Sequence, residues 1–186
     1  MNWFRLFLVT IFLVAAPVRA YEDPQETIII DGNENTAYIV GHIGPVIANY
    51  ILSLDPKKIK RIELNSYGGK LRQAMKIAKF IRDNKIDTYV GKTSICYSAC
   101  TAIFQAGIKR IANKCSRFLY HYAYNRMGPK RERRVTNIKI SMAYFKQLMD
   151  YGASPELIKQ IKIGRNLVLS AKSTMKYFVV TILETD

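Results

Sequence analysis

Ser98 and His121 are the side chains whose types and placement best suit nucleophilic chemistry. Ser98 falls in Ser94-Ile95-Cys96-Tyr97-Ser98-Ala99-Cys100, a run that leads into a segment of helical period, so its hydroxyl is expected at or near a helix N-terminus. There a tetrahedral oxyanion would meet oriented N–H donors and the positive end of the helix dipole. His121 follows the apolar run Arg117 to Tyr120 and is one of two histidines in the chain. An imidazole within reach of a hydroxyl takes its proton as the oxygen attacks a carbonyl. A second turn, Asn65-Ser66-Tyr67-Gly68-Gly69, carries adjacent glycines that let the backbone approach a ligand closely. Each feature also has a plainer reading: an N-cap for Ser98, a tight turn for the glycines and a satisfied core or surface residue for His121.

The elements that must position these groups are read from periodicity. Thr27 to Ile30 and Ala37 to Val40 read as strands. Ile43 to Leu54 reads as a helix, with Ile43, Ile47, Tyr50, Ile51 and Leu54 on one face. Arg61 to Leu64 is the next strand, and the pattern breaks at Asn65 to Gly69. Leu71 to Asn84 resumes a helix whose face is Leu71, Ala74, Met75, Ala78 and Ile81, followed by a strand at Thr88 to Gly91. A helix from about Ser98 to Ala106 leads through Lys109-Arg110-Ile111 to the strand Arg117 to Tyr120. Tyr122 to Thr136, with its Gly128-Pro129 turn, reads as a surface excursion. Asn137 to Tyr151 returns to helical spacing, Ser154-Pro155-Glu156 opens another helix, and Phe178 to Leu183 closes the chain as a strand. Strands alternating with helices imply βαβ units around a mostly parallel sheet, whose strand ends put Ser98 and His121 on one edge.

The N-terminal residues read as an address. Arg5 supplies a positive start, Leu6 to Ala16 are almost wholly apolar, and Val18-Arg19-Ala20 fits a cleavage site. Residues 1–20 are therefore expected to be a secretory signal peptide, and residues 21–186 a single α/β domain, periplasmic or secreted; a retained anchor is the alternative. The full chain carries 29 Lys+Arg against 14 Asp+Glu, a net +15. Removing Arg5 and Arg19 leaves +13 on the exported part, so the basicity belongs to the folded chain. Of the three cysteines, Cys96 with Cys100 and Cys100 with Cys115 are both open as disulfide pairs, and three buried thiols are the plainer reading. Their spacing gives no paired metal motif, so no metal and no cofactor is expected.

The order Gly41-x-Ile43, Ile62-Glu63-Leu64-Asn65-Ser66-Tyr67-Gly68-Gly69, Ser94 to Cys100, Ala106-Gly107 and Phe118-Leu119-Tyr120-His121 resembles the Clp protease proteolytic subunit and its relatives in the crotonase superfamily. The likeness runs from about Gly41 to the C-terminus, with Tyr67 where that family typically has proline. It implies a ClpP/crotonase-like α/β fold of repeated ββα units with a mostly parallel central sheet, and a homo-oligomer. It also implies Ser98 as nucleophile, His121 as base, and Gly69 and Ala99 as oxyanion-hole donors. The family's third catalytic residue, an aspartate, aligns with Asn166, which can accept the His121 N–H but adds no charge to stabilise imidazolium. Asp150 or Glu156 is the alternative source of that charge. The Cys-x-Ser-x-Cys form looks more like exported Clp-like proteins than like the cytoplasmic protease.

The resemblance therefore implies a serine peptidase that cuts short or unfolded polypeptides without an ATPase partner. A non-catalytic scaffold or binding module on the same fold is the alternative. Arg126, Lys130, Arg131, Arg133 and Arg134 follow His121 closely, and form either a solvated loop or subunit contact, or a surface for anionic polypeptide or envelope material. No nucleic-acid motif accompanies them.

Overall fold

The computed structural model describes residues 26–31, 35–127 and 133–185. The expected signal segment lies outside them, as do Lys130 and Arg131 of the basic run. Among the described residues the chain passes through β1 (Glu26–Asp31), β2 (Thr36–Ile43), α1 (Pro45–Ser53), β3 (Arg61–Gly69), α2 (Leu71–Asp83) and β4 (Asp87–Val90). It continues through β5 (Ile95–Tyr97), α3 (Ala99–Ala106), β6 (Arg110–Asn113), β7 (Arg117–Tyr120), β8 (Tyr124–Met127) and β9 (Arg133–Thr136). The last elements are α4 (Ile138–Asp150), α5 (Pro155–Gln160), β10 (Leu167–Ser170), α6 (Ala171–Met175) and β11 (Ile182–Glu184). No described helix is long and apolar enough to cross a membrane.

The fold divides at β3. Along one side β3 pairs in parallel with β2 over its whole length. Along the other, residues 61–63 pair with β4, whereas Ser66 pairs with Cys96 of β5. The first branch runs β4, β6, β11 and the second runs β5, β7, β10. The sheet is thus mixed: its inner pairings are parallel, while β1 joins β2 and β10 joins β7 antiparallel. The mostly parallel sheet expected from the sequence is met only in part. The antiparallel pairings fall at the outer strands β1 and β10, and β10 reaches β7 only after the chain has passed through β8, β9, α4 and α5.

The core lies between this sheet and the helices. In α2, Ala74, Ile77, Ala78 and Ile81 recur at i, i+3, i+4 and i+7 and are fully buried. All eight residues of α3 are buried, so this helix is the centre of the molecule and packs against α2 and α4. Asn137 caps α4, its side-chain oxygen accepting the Ile140 N–H at 3.1 Å. Phe104 and Phe118 meet across the α3 and β7 contact with ring centroids 4.8 Å apart.

Three sequence expectations change. β3 does not end at Leu64 but continues through Gly69, with Ile62, Leu64, Ser66 and Gly68 alternating inward. The continuing ladder with β2, across a bulge at Gly41/His42, outweighs the turn-forming character of those residues. Arg110–Asn113, read only as a lead-in, is a fully buried strand between β4 and β11. The closing strand is confined to Ile182–Glu184, because the preceding segment is turned onto Arg110. That guanidinium donates to the main-chain oxygens of Gly107, Phe178 and Val179 at 3.0, 3.0 and 2.7 Å.

Candidate active site

The β5-to-α3 connection makes Ser98 the most constrained residue of the candidate site. Ser98 sits between strand and helix at φ 55° and ψ −123°, outside the regions an L-residue ordinarily occupies. Such a backbone costs about 1–3 kcal/mol and persists only where its surroundings impose it. Here the Ser98 N–H donates to the Leu119 carbonyl at 2.8 Å, tying the turn to β7. On the other side the Thr101 N–H and hydroxyl both donate to the Ser98 carbonyl, at 3.0 and 2.6 Å. With the Thr101 proton committed, the Tyr144 hydroxyl donates to Thr101 Oγ1 at 2.5 Å. Tyr144 is buried, and burial raises its phenol well above the ordinary range, so it remains a donor.

The glycine turn fits directly against this corner. A Cβ on Gly68 would stand 2.6 Å from the Tyr97 carbonyl oxygen, 2.8 Å from Ser98 Cβ and 3.0 Å from the Ala99 nitrogen. Gly68 also has φ +94°, which a side chain rarely tolerates. Gly69 faces the other way: a Cβ there would fall on the Ile43 carbonyl oxygen and lie 2.9 Å from His42 Cε1. Ser66, buried and facing inward, fixes the turn by donating to the Gly41 carbonyl at 2.5 Å and accepting the Gly68 N–H at 3.0 Å. Asn65 Oδ1 accepts the Ile95 N–H at 3.2 Å and so joins the turn to the start of β5. Ala99, the first residue of α3, has no acceptor for its N–H within that helix, and this group lies beside Gly68 and Ser98.

The parallel register Tyr97↔Leu119 carries β5 and β7 to the same edge, where Ser98 and His121 each directly follow the last residue of their strand. Both side chains are partly exposed. The His121 ring is held by the main chain: Nδ1 lies 2.6 Å from the Tyr122 carbonyl oxygen. A carbonyl only accepts, so this bond requires the proton on Nδ1 and leaves the Nε2 lone pair free to act as a base. The imidazole stacks on Tyr124 with centroids 5.5 Å apart and planes at 28°, and the Arg134 guanidinium carbon lies 4.7 Å from the centre of the same phenol. No hydrogen bond joins Ser98 Oγ to the His121 ring among the described residues.

Asn166 precedes β10 and is exposed. The antiparallel pairing Leu167↔Tyr120, extended by one residue, sets Asn166 opposite His121, but no hydrogen bond connects their side chains among the described residues. Neither alternative acid is engaged with His121. Asp150 pairs with Lys146 at 2.7 Å on the exposed face of α4, and Glu156 lies 3.9 Å from Lys159 on α5. Cys96 and Cys100 form a disulfide, and Cys115 is free and exposed. Of the basic run, Arg126 and Arg133 lie on β8 and β9, whose register pairs Arg126 with Arg134 and Met127 with Arg133.

The sequence reading missed Gly68 as the surface beneath Ser98, although the doubled glycine signalled a close approach. It also missed Ser66, and His42 beside Gly69. The Tyr122 carbonyl had no signal at all, because every residue type supplies one. Exposed Tyr67 stands where the resembled family has proline, and its ring meets that of Tyr97 edge-on at 6.3 Å.

No family model matches the chain, and no curated protein matches it. Solved structures do. An asparagine-to-aspartate mutant of ClpP1 from Listeria monocytogenes superposes with a TM-score of 0.56 at 21% identity, over 82% of this chain and 92% of that one. A serine-to-alanine mutant of the 1510-N membrane-bound stomatin-specific protease superposes with a TM-score of 0.62 at 18% identity, over 80% of this chain and 78% of that one. The chain therefore has a ClpP-like α/β fold.

Proposed function

We propose that the protein is an exported serine peptidase of the Clp-like class, hydrolysing peptide bonds in short or unfolded polypeptides without an ATPase partner, and that it works as a homo-oligomer. The observation that carries this reading is the Ser98 corner: a residue at φ 55° between strand and helix, seated on Gly68 beside the Ala99 N–H. Between a strand and a helix this conformation holds the serine hydroxyl clear of the backbone beside oriented donors, as a nucleophile elbow does. The proteases met in the structural comparison agree with this choice, and the apolar segment of residues 6–16 supports export.

In the proposed reaction Ser98 Oγ attacks the scissile carbonyl and His121 Nε2 takes its proton. The tetrahedral oxyanion is received by the main-chain N–H groups of Ala99 and Gly69, and His121 returns the proton to the leaving amine. Water then repeats the sequence on the acyl-enzyme. The bond to Tyr122 sets the tautomer this requires, so His121 is oriented without a third side chain. A carbonyl dipole stabilises imidazolium less than a carboxylate does. The ~10⁴ loss of turnover when asparagine replaces a triad aspartate comes chiefly from the wrong tautomer; with the tautomer set by Tyr122 only the missing charge counts, so turnover is expected to be reduced by less than that.

Labelling of Ser98 by a fluorophosphonate, abolished in Ser98→Ala, tests the reading. A folded wild type that takes up no label at high probe concentration overturns it. The exposed Asn166 and the lack of a hydrogen bond between Ser98 and His121 among the described residues favour a second reading, a ClpP-like scaffold without hydrolysis. That reading predicts the same unlabelled result together with intact self-association. Anionic polypeptide or envelope material is the proposed contact of the basic run Arg126, Lys130, Arg131, Arg133 and Arg134.

A further inference from the structure

We propose that the Cys96–Cys100 disulfide is a positioning element for Ser98, so that the site acylates at its full rate only when this pair is oxidised. The inference rests on the reading of Ser98 as the nucleophile.

The bridge encloses Ser98, with one residue between it and each cysteine, and joins two different layers of the fold. Cys96 is the middle residue of β5, paired with Ser66 of β3 on one side and Phe118 of β7 on the other. Cys100 is the second residue of α3, the helix buried throughout. Both cysteines are fully buried, and their Cα atoms stand 5.2 Å apart. The hydrogen bonds at this corner fix the Ser98 N–H to Leu119 and the Ser98 carbonyl to Thr101. They hold the two peptide groups, yet a positive φ at Ser98 relaxes if α3 swings away from β5 and carries Thr101 with it. The disulfide is the covalent tie across that movement.

Its size also points to a local role. The stabilisation that a cross-link gives by restricting the unfolded chain increases with the length of the loop it closes. A separation of four residues lies near the short end of that scale, so the bridge does least for the whole fold and most for the three residues inside it. Those three residues are Tyr97, Ser98 and Ala99, so the nucleophile and an oxyanion donor both lie within the closed loop.

The test uses the full chain in a Cys115→Ser background, which removes the one exposed thiol that would scramble the pair. Because the bridge is fully buried, a water-soluble phosphine is added in urea and the urea then removed under reducing conditions: the phosphine becomes its oxide, water supplies the oxygen and both protons, and the disulfide becomes two thiols. Oxidised glutathione restores it, two protein thiols being oxidised as one glutathione disulfide is reduced to two thiols. Fluorophosphonate labelling rates, peptide kcat and KM, and near-UV circular dichroism are read in each state. Misplacement of a reacting group by about 1 Å costs on the order of 100-fold. The reduced protein is therefore expected to keep its near-UV signal and its KM, lose ~10- to 100-fold in labelling rate and kcat, and recover on reoxidation. A Cys96→Ala/Cys100→Ala variant is expected to match the reduced state and not to recover.

A reduced, folded protein that labels within about threefold of the oxidised one overturns the inference. So does a reduced protein and a double variant that have both lost tertiary structure, since that marks a staple for the whole fold. Absence of labelling in the oxidised protein overturns the Ser98 reading, and this inference falls with it.

Discussion

Gly68 lies directly beneath Ser98: a methyl group at the Gly68 Cα would stand 2.8 Å from Ser98 Cβ and 2.6 Å from the Tyr97 carbonyl oxygen. The doubled glycine is thus divided between two contacts, Gly68 against the Ser98 corner and Gly69 against β2. In Gly68→Ala the added carbon meets main-chain atoms that cannot rotate away, at a φ of +94° that alanine resists. Overpacking of this kind costs about 1–3 kcal/mol, with backbone strain in addition. Urea unfolding is expected to show a loss of that size, and fluorophosphonate labelling to fall below detection even under conditions where the variant is folded. A variant that labels at the wild-type rate removes Gly68 from the site.

Ser66 is expected to matter for rate as well as stability. Its hydroxyl spans two main-chain groups, the Gly41 carbonyl and the Gly68 N–H, inside the protein. Ser66→Ala leaves both without that partner, and an unsatisfied buried group costs about 1–3 kcal/mol. Because the freed N–H belongs to the residue under Ser98, kcat should fall while KM for a peptide changes little. Ser66→Thr keeps the hydroxyl and is expected to recover part of the rate if the extra methyl is accommodated; the kcat and KM comparison across the three proteins checks this.

How far these residues were legible in the sequence depends on what each one uses. Ser98, His121 and the double glycine stand out in the sequence because side-chain type, or the lack of a side chain, is the property they would contribute to a site. The inward alternation at Ile62 and Leu64 and the 3.6-residue stripe of α2 were legible because burial selects apolar residues at fixed periods. The strand Arg110–Asn113 was not, since its buried Arg110 and Asn113 bond to main-chain atoms and break the apolar pattern. The third partner of His121 was sought among side chains, at Asn166, whereas the ring is held by a main-chain oxygen, which no residue type reports.

That difference makes Asn166 a sharp test. If the Tyr122 carbonyl orients His121, Asn166→Ala should leave the labelling rate within about threefold of wild type. Asn166→Asp should accelerate it, because the extended register sets residue 166 opposite His121 and a carboxylate there attracts the forming imidazolium. Attraction between unit charges about 4 Å apart ranges from ~1 kcal/mol in water to ~4 kcal/mol near a protein surface. For an exposed position the lower part of that range applies, giving a gain of around tenfold. A large loss in Asn166→Ala would instead make Asn166 the orienting residue.

Alkaline stability follows from the buried phenols. Tyr120 and Tyr144 are both buried, and burial pushes each above the ordinary tyrosine range. Tyr89, more exposed, is raised to about 12 by burial and by its 2.8 Å hydrogen bond to Glu184. A group that binds its proton more tightly when folded gives stability that is complete below its unfolded pKa and declines as pH rises above it. For tyrosine that decline begins near pH 10. Arg110 acts in the opposite sense, since burial lowers it to about 10 and relieves part of its cost as pH rises from there. Two fully buried phenols outweigh one guanidinium that already donates to three carbonyls. Unfolding free energy measured in urea should therefore be flat through neutral pH and fall above about pH 10. Tyrosinate absorbance should rise in two stages, the exposed phenols first and Tyr120 and Tyr144 only together with loss of near-UV ellipticity. Replacing Tyr144 by phenylalanine should weaken the second stage and, by leaving Thr101 Oγ1 without its donor, slow the labelling of Ser98 at neutral pH.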